Sequence, residues 1–173
     1  LQAVYFKFRF SLSYRDIEEL LSIRGVKVDH ATIQRWVFKF SPLIEKTLRK
    51  RKKPVGNSWR MDETYIKVKG EWKYLYRAID KQGNTIDFLL TRRRNTVAAQ
   101  LFLIRAIGKN GIPTVINIDK SGANKQAIRV YNKRNYSKIR IRQCKYLNNR
   151  IEQDHRFIKW RIQNMLGFKN FES

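Results

Sequence analysis

The chain has 173 residues, with 38 Lys and Arg against 14 Asp and Glu, a formal charge of +24 and 42% apolar content. That length holds one ordinary domain, or a small domain beside a medium one, with enough apolar mass for a buried core, which excludes a disordered polyelectrolyte. So basic a chain calls for a polyanionic partner, and nucleic acid comes before an anionic membrane because no run approaches the roughly 18 apolar residues of a membrane span.

One cysteine, Cys144, excludes an intramolecular disulfide framework, and with only His30 and His155 beside it no zinc-site spacing can be assembled. Leu1 to Phe10 has neither an apolar h-region nor a small-residue cleavage site, so no signal peptide is expected and a reducing cytoplasm fits. The sequence Gly108-Lys109-Asn110-Gly111 lacks the spacing and the Lys-Ser/Thr pair of a Walker loop, so any phosphoryl chemistry is expected to run without a nucleotide cofactor.

Between Ser13 and Arg24, Ile17, Leu20 and Leu21 recur at helical spacing, with Ser13 placed to cap the start and Asp16 in the first turn. Gly25 ends this helix. Asp29 caps a second one, whose apolar stripe reads Ile33, Trp36, Val37 and Phe40 and which Pro42 is expected to close or bend. Two helices about a short Gly-containing turn form the layout of a helix-turn-helix, whose second helix enters the major groove. Its outward residues, His30, Thr32, Gln34, Arg35 and Lys39, are the candidates for reading DNA; a plain helical bundle shows the same stripes, and the charge of the chain favours the DNA reading. Residues 1–48 are assigned to this region. Arg49 to Lys53, followed by Pro54, opens a basic linker over 49–57, either a solvated connector or a strap that tracks phosphates.

From Trp59 the pattern changes to strands. Trp59 to Val68 and Trp72 to Ile79 are rich in β-branched and aromatic residues, Lys69-Gly70-Glu71 is a hairpin signal, and Lys81-Gln82-Gly83-Asn84 turns into a third strand through Leu90. Asn95 caps a helix from Thr96 to Lys109 with Ala99, Phe102, Leu103 and Ile107 inward. A short strand from Thr114 to Ile118, a helix near Asn124 to Tyr131, a strand from Ile139 to Cys144 and a long helix from Asn148 to Met165 complete the order. Three antiparallel strands followed by alternating helices and strands describe an α/β layer with a mixed sheet.

Three carboxylates stand out against the basic background. Asp62 falls inside the first strand, where Asp is disfavoured and inward charge is costly; Asp119 falls at the C-terminal lip of the fourth, where open α/β sheets place ligands; Glu152 falls in the first turns of the last helix. Convergence of the three would suit two-metal phosphoryl chemistry, in which carboxylates hold ions roughly 4 Å apart, and oxygen-only ligands suit Mg²⁺ or Mn²⁺. Alone, Asp119 before Ser121-Gly122 is equally a turn former and Glu152 an ordinary helix residue. Arg156 and Lys159 share a helix face with Glu152 and could grip a DNA backbone, and Lys120 beside Asp119 could steer it. Glu63 lies on the sheet face opposite Asp62, and Asp154 is turned well away from Glu152 on the helix. His155 could touch the site or make a structural hydrogen bond.

Five phrases carry a resemblance: Leu12-Ser13-Tyr14-Arg15-Asp16-Ile17; Met61-Asp62-Glu63-Thr64-Tyr65-Ile66-Lys67-Val68-Lys69-Gly70; Tyr74-Leu75-Tyr76-Arg77-Ala78-Ile79-Asp80; Asp119-Lys120-Ser121-Gly122-Ala123-Asn124; and Lys145-Tyr146-Leu147-Asn148-Asn149-Arg150-Ile151-Glu152-Gln153-Asp154-His155-Arg156. Together they resemble the small transposases of bacterial insertion sequences with an Asp-Asp-Glu active site, in the subgroup that moves by replicative cointegrate formation. The resemblance implies an RNase H-like mixed-sheet catalytic core over 58–173, preceded by the all-α helix-turn-helix region. It places the catalytic and metal-binding triad on Asp62, Asp119 and Glu152. It further implies double-stranded DNA partners, both terminal inverted repeats and target DNA, a homo-oligomer when active, and a cytoplasmic, nucleoid-associated location. A start without Met, an end at Ser173 and a shortened interval between Asp119 and Glu152 suggest truncation at both ends and a small deletion near Tyr131 to Ser137. The alternative function is therefore a catalytically inactive, truncated DNA-binding remnant.

Overall fold

The computed structural model describes residues 1–164 together with Phe168 and Phe171. The chain divides into two compact units, Leu1–Lys53 with the chain from Lys159 onward, and Pro54–Ile158.

In the first unit α1 (Gln2–Phe10), α2 (Tyr14–Ile23) and α3 (His30–Lys50) enclose a small core of Ala3, Ile17, Leu21 and Ile33, with Phe6, Leu12, Tyr14, Val28 and Trp36 packed on it. The caps form where expected. The Ser13 hydroxyl accepts from the Asp16 amide at 3.0 Å while the Asp16 carboxylate accepts from the Ser13 amide at 2.7 Å, a reciprocal capping box. Asp29 accepts from the Thr32 amide at 2.9 Å. Gly25, at φ +77°, supplies the left-handed turn between α2 and α3. Of the two outcomes expected at Pro42, closing or bending, the structure does not show closure: α3 continues to Lys50. Proline frees a carbonyl one turn back, and hydroxyls here back-bond to neighbouring carbonyls, Ser41 to Val37 and Thr47 to Leu43 at 2.9 Å. The buried residues of α3, Ile33 and Val37, all precede Pro42.

The second unit is a five-stranded mixed sheet in the order β3-β2-β1-β4-β5. β1 (Ser58–Val68), β2 (Glu71–Asp80) and β3 (Thr85–Thr91) form the antiparallel meander, and β4 (Val115–Ile118) and β5 (Arg140–Gln143) add in parallel. The β1–β2 turn is the two-residue Lys69-Gly70 loop, both at positive φ as hairpin twist requires. α4 (Thr96–Asn110) and α5 (Gly122–Asn135) connect the parallel part, and α6 (Lys145–Asn164) closes the order, starting three residues earlier than periodicity suggests. The expected end of that helix at Met165 lies outside the described residues.

Alternation along β1 sorts its two faces. Trp59 and Met61 join Tyr76, Ala78 and Ile86 in the core that Ala99, Phe102, Leu103 and Ala106 of α4 and Ala127 and Ile128 of α5 complete. The intervening residues Arg60 and Asp62 belong to the other face, where α6 is anchored: Arg60 Nε donates to the Leu147 carbonyl at 2.7 Å. Asn132 organises the short α5–β5 connection, accepting from Ser137 Oγ and the Ile139 amide and donating to the Ile139 carbonyl at 2.9 Å. Among the described residues no helix is long and apolar enough to cross a membrane.

Candidate active site

The parallel ladder pairs Trp59 with Ile116 and Arg60 with Asn117. The pairing ends there, so Asp62 and Asp119 each follow two residues after the last rung of one ladder, and the Asp119 charge acts on Asp62. The buried Asn117 locks the register, its Nδ2 donating to the Trp59 carbonyl at 3.3 Å. Asp119 begins the loop into α5; its Oδ1 accepts from the Ser121 amide at 2.8 Å, leaving the other carboxylate oxygen uncommitted to this turn. Ser121 in turn caps α5, a start signal the periodicity missed.

The third carboxylate comes from α6. Asn148, Ile151 and His155 are buried at spacings of three and four, so this stripe faces inward. His155 Nδ1 stands 3.5 Å from Asp62 Oδ2. Glu152, one turn before His155, is therefore delivered to the same side as Asp62 and Asp119, and it is exposed.

Electrostatics link the three. Burial pushes the Asp62 carboxyl up, and the negative charges of Glu63, Asp119 and Glu152 push it further, to about 7, against the lowering effect of a hydrogen bond from the Glu63 backbone. The other acids of the unit have fixed work. Glu63 accepts from Arg94 Nε at 2.6 Å and from the buried Asn124 Nδ2 at 2.8 Å. Asp87 pairs with Arg105 at 3.1 Å and Lys109 at 3.2 Å, Glu71 with Lys73 and Asp154 with Arg77 at 2.5 Å. Asp80 accepts from Gln82, Asn84 and Gly56 amides in its turn. Among the described residues, Asp62, Asp119 and Glu152 have no Lys or Arg ion pair, in a chain with 38 such cations.

Carboxylates that repel one another and, among the described residues, have no Lys or Arg ion pair fit a hard divalent cation, which would offset their mutual repulsion. Among the described residues no three His, Cys, Asp or Glu stand close enough to form a ready cage.

Lys120 and Arg156 are exposed on the elements that carry Asp119 and Glu152. Lys159 is exposed as well but belongs to the first unit. In the helix-turn-helix region Gln34, Arg35 and Lys39 are exposed on α3, and Thr32 is half-buried beside its cap. His30 instead ties α3 to α2: its Nδ1 lies 2.9 Å from Glu18 Oε2, which also accepts from the His30 amide at 3.1 Å. Sequence reasoning missed Arg77, Arg94 and Asn124 as the residues that hold the site's neighbours. Arg77 carried a signal, a charge amid the apolar neighbours Leu75, Tyr76, Ala78 and Ile79.

Comparison with known proteins agrees with this geometry. The family model DDE_Tnp_IS240, a DDE domain, matches residues 56–173. The chain is 44% identical over 160 residues to the transposase for insertion sequence-like element IS431mec of Staphylococcus aureus, covering 92% of this chain and 71% of that protein. The transposase for insertion sequence element IS257 in transposon Tn4003, also from Staphylococcus aureus, matches with the same identity and coverage. Among solved structures, the HTLV-2 integrase catalytic core in complex with magnesium superimposes with a TM-score of 0.52 at 20% identity, over 61% of this chain and 68% of that one. A chain of the simian T-cell lymphotropic virus intasome, in complex with PP2A regulatory subunit B56 gamma, gives 0.51 at 20% identity over 63% and 41%. These likenesses establish the RNase H-like fold of the core.

Proposed function

The chain belongs to the DDE-domain transposases of bacterial insertion sequences and is a DNA transposase, a metal-dependent DNA-cutting enzyme, and we propose that Asp62, Asp119 and Glu152 are its catalytic carboxylates. The observation that carries this reading is three carboxylates within electrostatic reach of one another and, among the described residues, without Lys or Arg partners in so basic a protein, with Asp62 raised by burial and then by Glu63, Asp119 and Glu152. In this reading they hold Mg²⁺, or Mn²⁺, whose Lewis acidity offsets charge on the phosphate under attack. The HTLV-2 integrase core that shares the fold was solved with magnesium, in line with the oxygen donors here.

The chain's own residues then divide the work. Asp62 is held by the sheet and by His155, Asp119 by its Ser121 turn, and Glu152 by the docking of α6. Lys120 and Arg156 contact the DNA backbone beside the scissile phosphate. Water opens one strand at the element end, and the released 3′-hydroxyl attacks a target phosphate in line. Residues 1–48 bind the terminal inverted repeats through Gln34, Arg35 and Lys39, with Thr32 and His30 at the start of the recognition helix; 49–57 is the basic linker and 58–173 the catalytic core. Lys159 adds a phosphate contact. The substrates are double-stranded DNA, inverted repeats and target alike, handled by a homo-oligomer in the bacterial cytoplasm at the nucleoid. A catalytically inactive remnant is not favoured, since all three carboxylates and their supporting contacts are present.

Strand nicking on labelled duplexes bearing candidate element ends tests this reading. Nicking is expected with Mg²⁺, none with EDTA, and none for Glu152→Gln. A Glu152→Gln protein that nicks like the wild type would remove Glu152 from the mechanism.

A further inference from the structure

The β1–β2 hairpin outruns its sheet. β4 ends at Ile118, and the β2–β3 pairing ends with Tyr74 opposite Thr91, so residues 66–73 form a ribbon to which none of the other sheet strands, β3, β4 or β5, is hydrogen-bonded. Its two faces differ. Ile66 and Val68 are buried on one. The other carries Tyr65 and Lys67 of β1 and, directly across, Tyr74 and Trp72 of β2. Tyr65 is 43% and Trp72 57% exposed.

These rings are held in place. Tyr65 meets Trp72 edge to face at 6.2 Å between centroids and lies 5.3 Å from Tyr74. Lys67 Nζ sits 5.1 Å from the centre of the Trp72 ring, and Arg94 donates to the Tyr65 hydroxyl at 3.2 Å. Lys69 stands at the turn, and Arg92 and Arg93 precede Arg94 in the adjoining loop. The ribbon's acid, Glu71, is already paired with Lys73. Cross-strand aromatic pairs stabilise hairpins, which accounts for Tyr65 with Tyr74. It does not account for a Trp left more than half exposed under a lysine.

We propose that this aromatic and basic face of the β1–β2 ribbon is a second DNA contact, which stacks the unpaired bases of a DNA strand passing on the side of the sheet away from Asp62. Exposed rings interleaved with cations are the combination that grips single strands, because every base offers a π-face while phosphates answer the charge. Rings presented at a surface reach splayed bases, whereas bases in an intact duplex are already stacked on each other. A protein partner is disfavoured by the concentration of cations around the rings. Tyr65 is three residues beyond Asp62 along the strand, about 10 Å, or roughly three base steps at the ~3.4 Å rise of DNA. The strand so held lies within a few nucleotides of the phosphate being cut. The proposal rests on the transposase reading only in taking DNA as the substrate.

The test uses the full chain in EDTA and compares anisotropy of a labelled blunt duplex with that of the same duplex bearing a single-stranded oligothymidine overhang. Trp72→Leu is expected to weaken overhang binding about tenfold, while Trp72→Phe, which keeps a ring, stays within roughly threefold of wild type; blunt-duplex affinity and thermal midpoint remain unchanged in both. Tryptophan emission should be quenched by the overhang in the wild type and much less in Trp72→Phe. Equal overhang binding by wild type and Trp72→Leu would overturn the proposal, as would an equal loss on blunt duplex. Retained overhang binding in Trp72→Leu with a changed sedimentation coefficient in Trp72→Lys would make the face a protein contact and likewise overturn it. Mg²⁺-dependent nicking of the blunt duplex, followed in parallel, keeps the two readings apart: wild-type nicking together with unchanged overhang binding in Trp72→Leu sinks the ribbon alone, and absence of nicking in the wild type sinks the catalytic assignment alone.

Discussion

Arg77 of β2 and Asp154 of α6 meet at 2.5 Å, and Arg77 is the residue directly across the β1–β2 ladder from Asp62. The Arg77 side chain is 8% exposed, and it also donates to Thr85 Oγ1 at 3.1 Å. One strand position therefore ties the helix that carries Glu152 to the strand pair that carries Asp62. Asp154, two residues from Glu152, acts through this anchor.

Removing the Asp154 charge strands a buried guanidinium. Asp154→Asn is expected to destabilise the protein by roughly 2 kcal/mol, below the cost of breaking a fully buried pair because Asp154 is 35% exposed. Urea denaturation measures it. The double variant Arg77→Met with Asp154→Leu should regain most of that stability yet nick DNA poorly, since packing alone does not fix the turn of α6. Nicking restored along with stability would show that the pair serves stability only.

The raised Asp62 carboxyl makes a prediction about pH whose sign is the reverse of the ordinary acid case. Between the unfolded value of 3.8 and the folded value of about 7 the native state holds a proton that the unfolded chain has lost, so stability falls as pH rises through this window and levels off above it. The loss is at most roughly 4 kcal/mol. It is read as the stability difference between wild type and Asp62→Asn in metal-free buffer at several pH values. A flat difference would contradict the crowding of charge at the site. Added Mg²⁺ at pH 8 should raise the thermal midpoint of the wild type and leave that of Asp62→Asn unmoved.

Asp119→Asn keeps an oxygen for the Ser121 amide, so the turn into α5 survives the substitution. Nicking should fall by roughly three orders of magnitude or more, as loss of the proposed metal ligand implies, while DNA affinity holds or rises slightly as a negative charge leaves a basic surface. Gel-shift and nicking assays on one preparation separate the two effects. Nicking at the wild-type rate would remove Asp119 from the mechanism.

The proposed recognition helix, α3, offers a paired comparison. Arg35 is exposed on α3, whereas His30 is engaged with Glu18. Arg35→Ala should weaken binding to element ends by about tenfold or more and relax selectivity, as loss of a base-edge contact does. His30→Ala should chiefly lower the thermal midpoint and alter end selectivity little. The opposite pattern in a binding titration would move base reading to the start of the helix.

Much of this architecture was legible because the local signals are strong and mutually consistent. Ser13, Asp29 and Asn95 sit where N-caps belong, and the alternation through Met61, Asp62 and Glu63 already separates a core face from a site face. The persistence of α3 past Pro42 was not legible, because a proline marks a lost backbone donor without recording whether the helix stops or runs on. The partners of Glu63 were hidden for a different reason: Arg94 and Asn124 lie 31 and 61 residues away, and only the closed sheet brings them near. Asp62 was readable as an inward acid; that His155 would be its neighbour depended on the docking of α6.

The three carboxylates differ in what sets their separation. The β1–β4 ladder ends two residues before Asp62 and Asp119, at Arg60 opposite Asn117, so one short run of backbone hydrogen bonds sets where both carboxylates begin, whatever the fifty-odd residues between them do. Glu152 hangs on side-chain anchors alone. Loops and helices between the strands can be lengthened or rebuilt without opening the first pair of jaws, whereas a single substitution at Arg60, Arg77 or Asp154 can shift the third. Tolerance to insertion and sensitivity to point mutation should thus fall on different carboxylates of one active site.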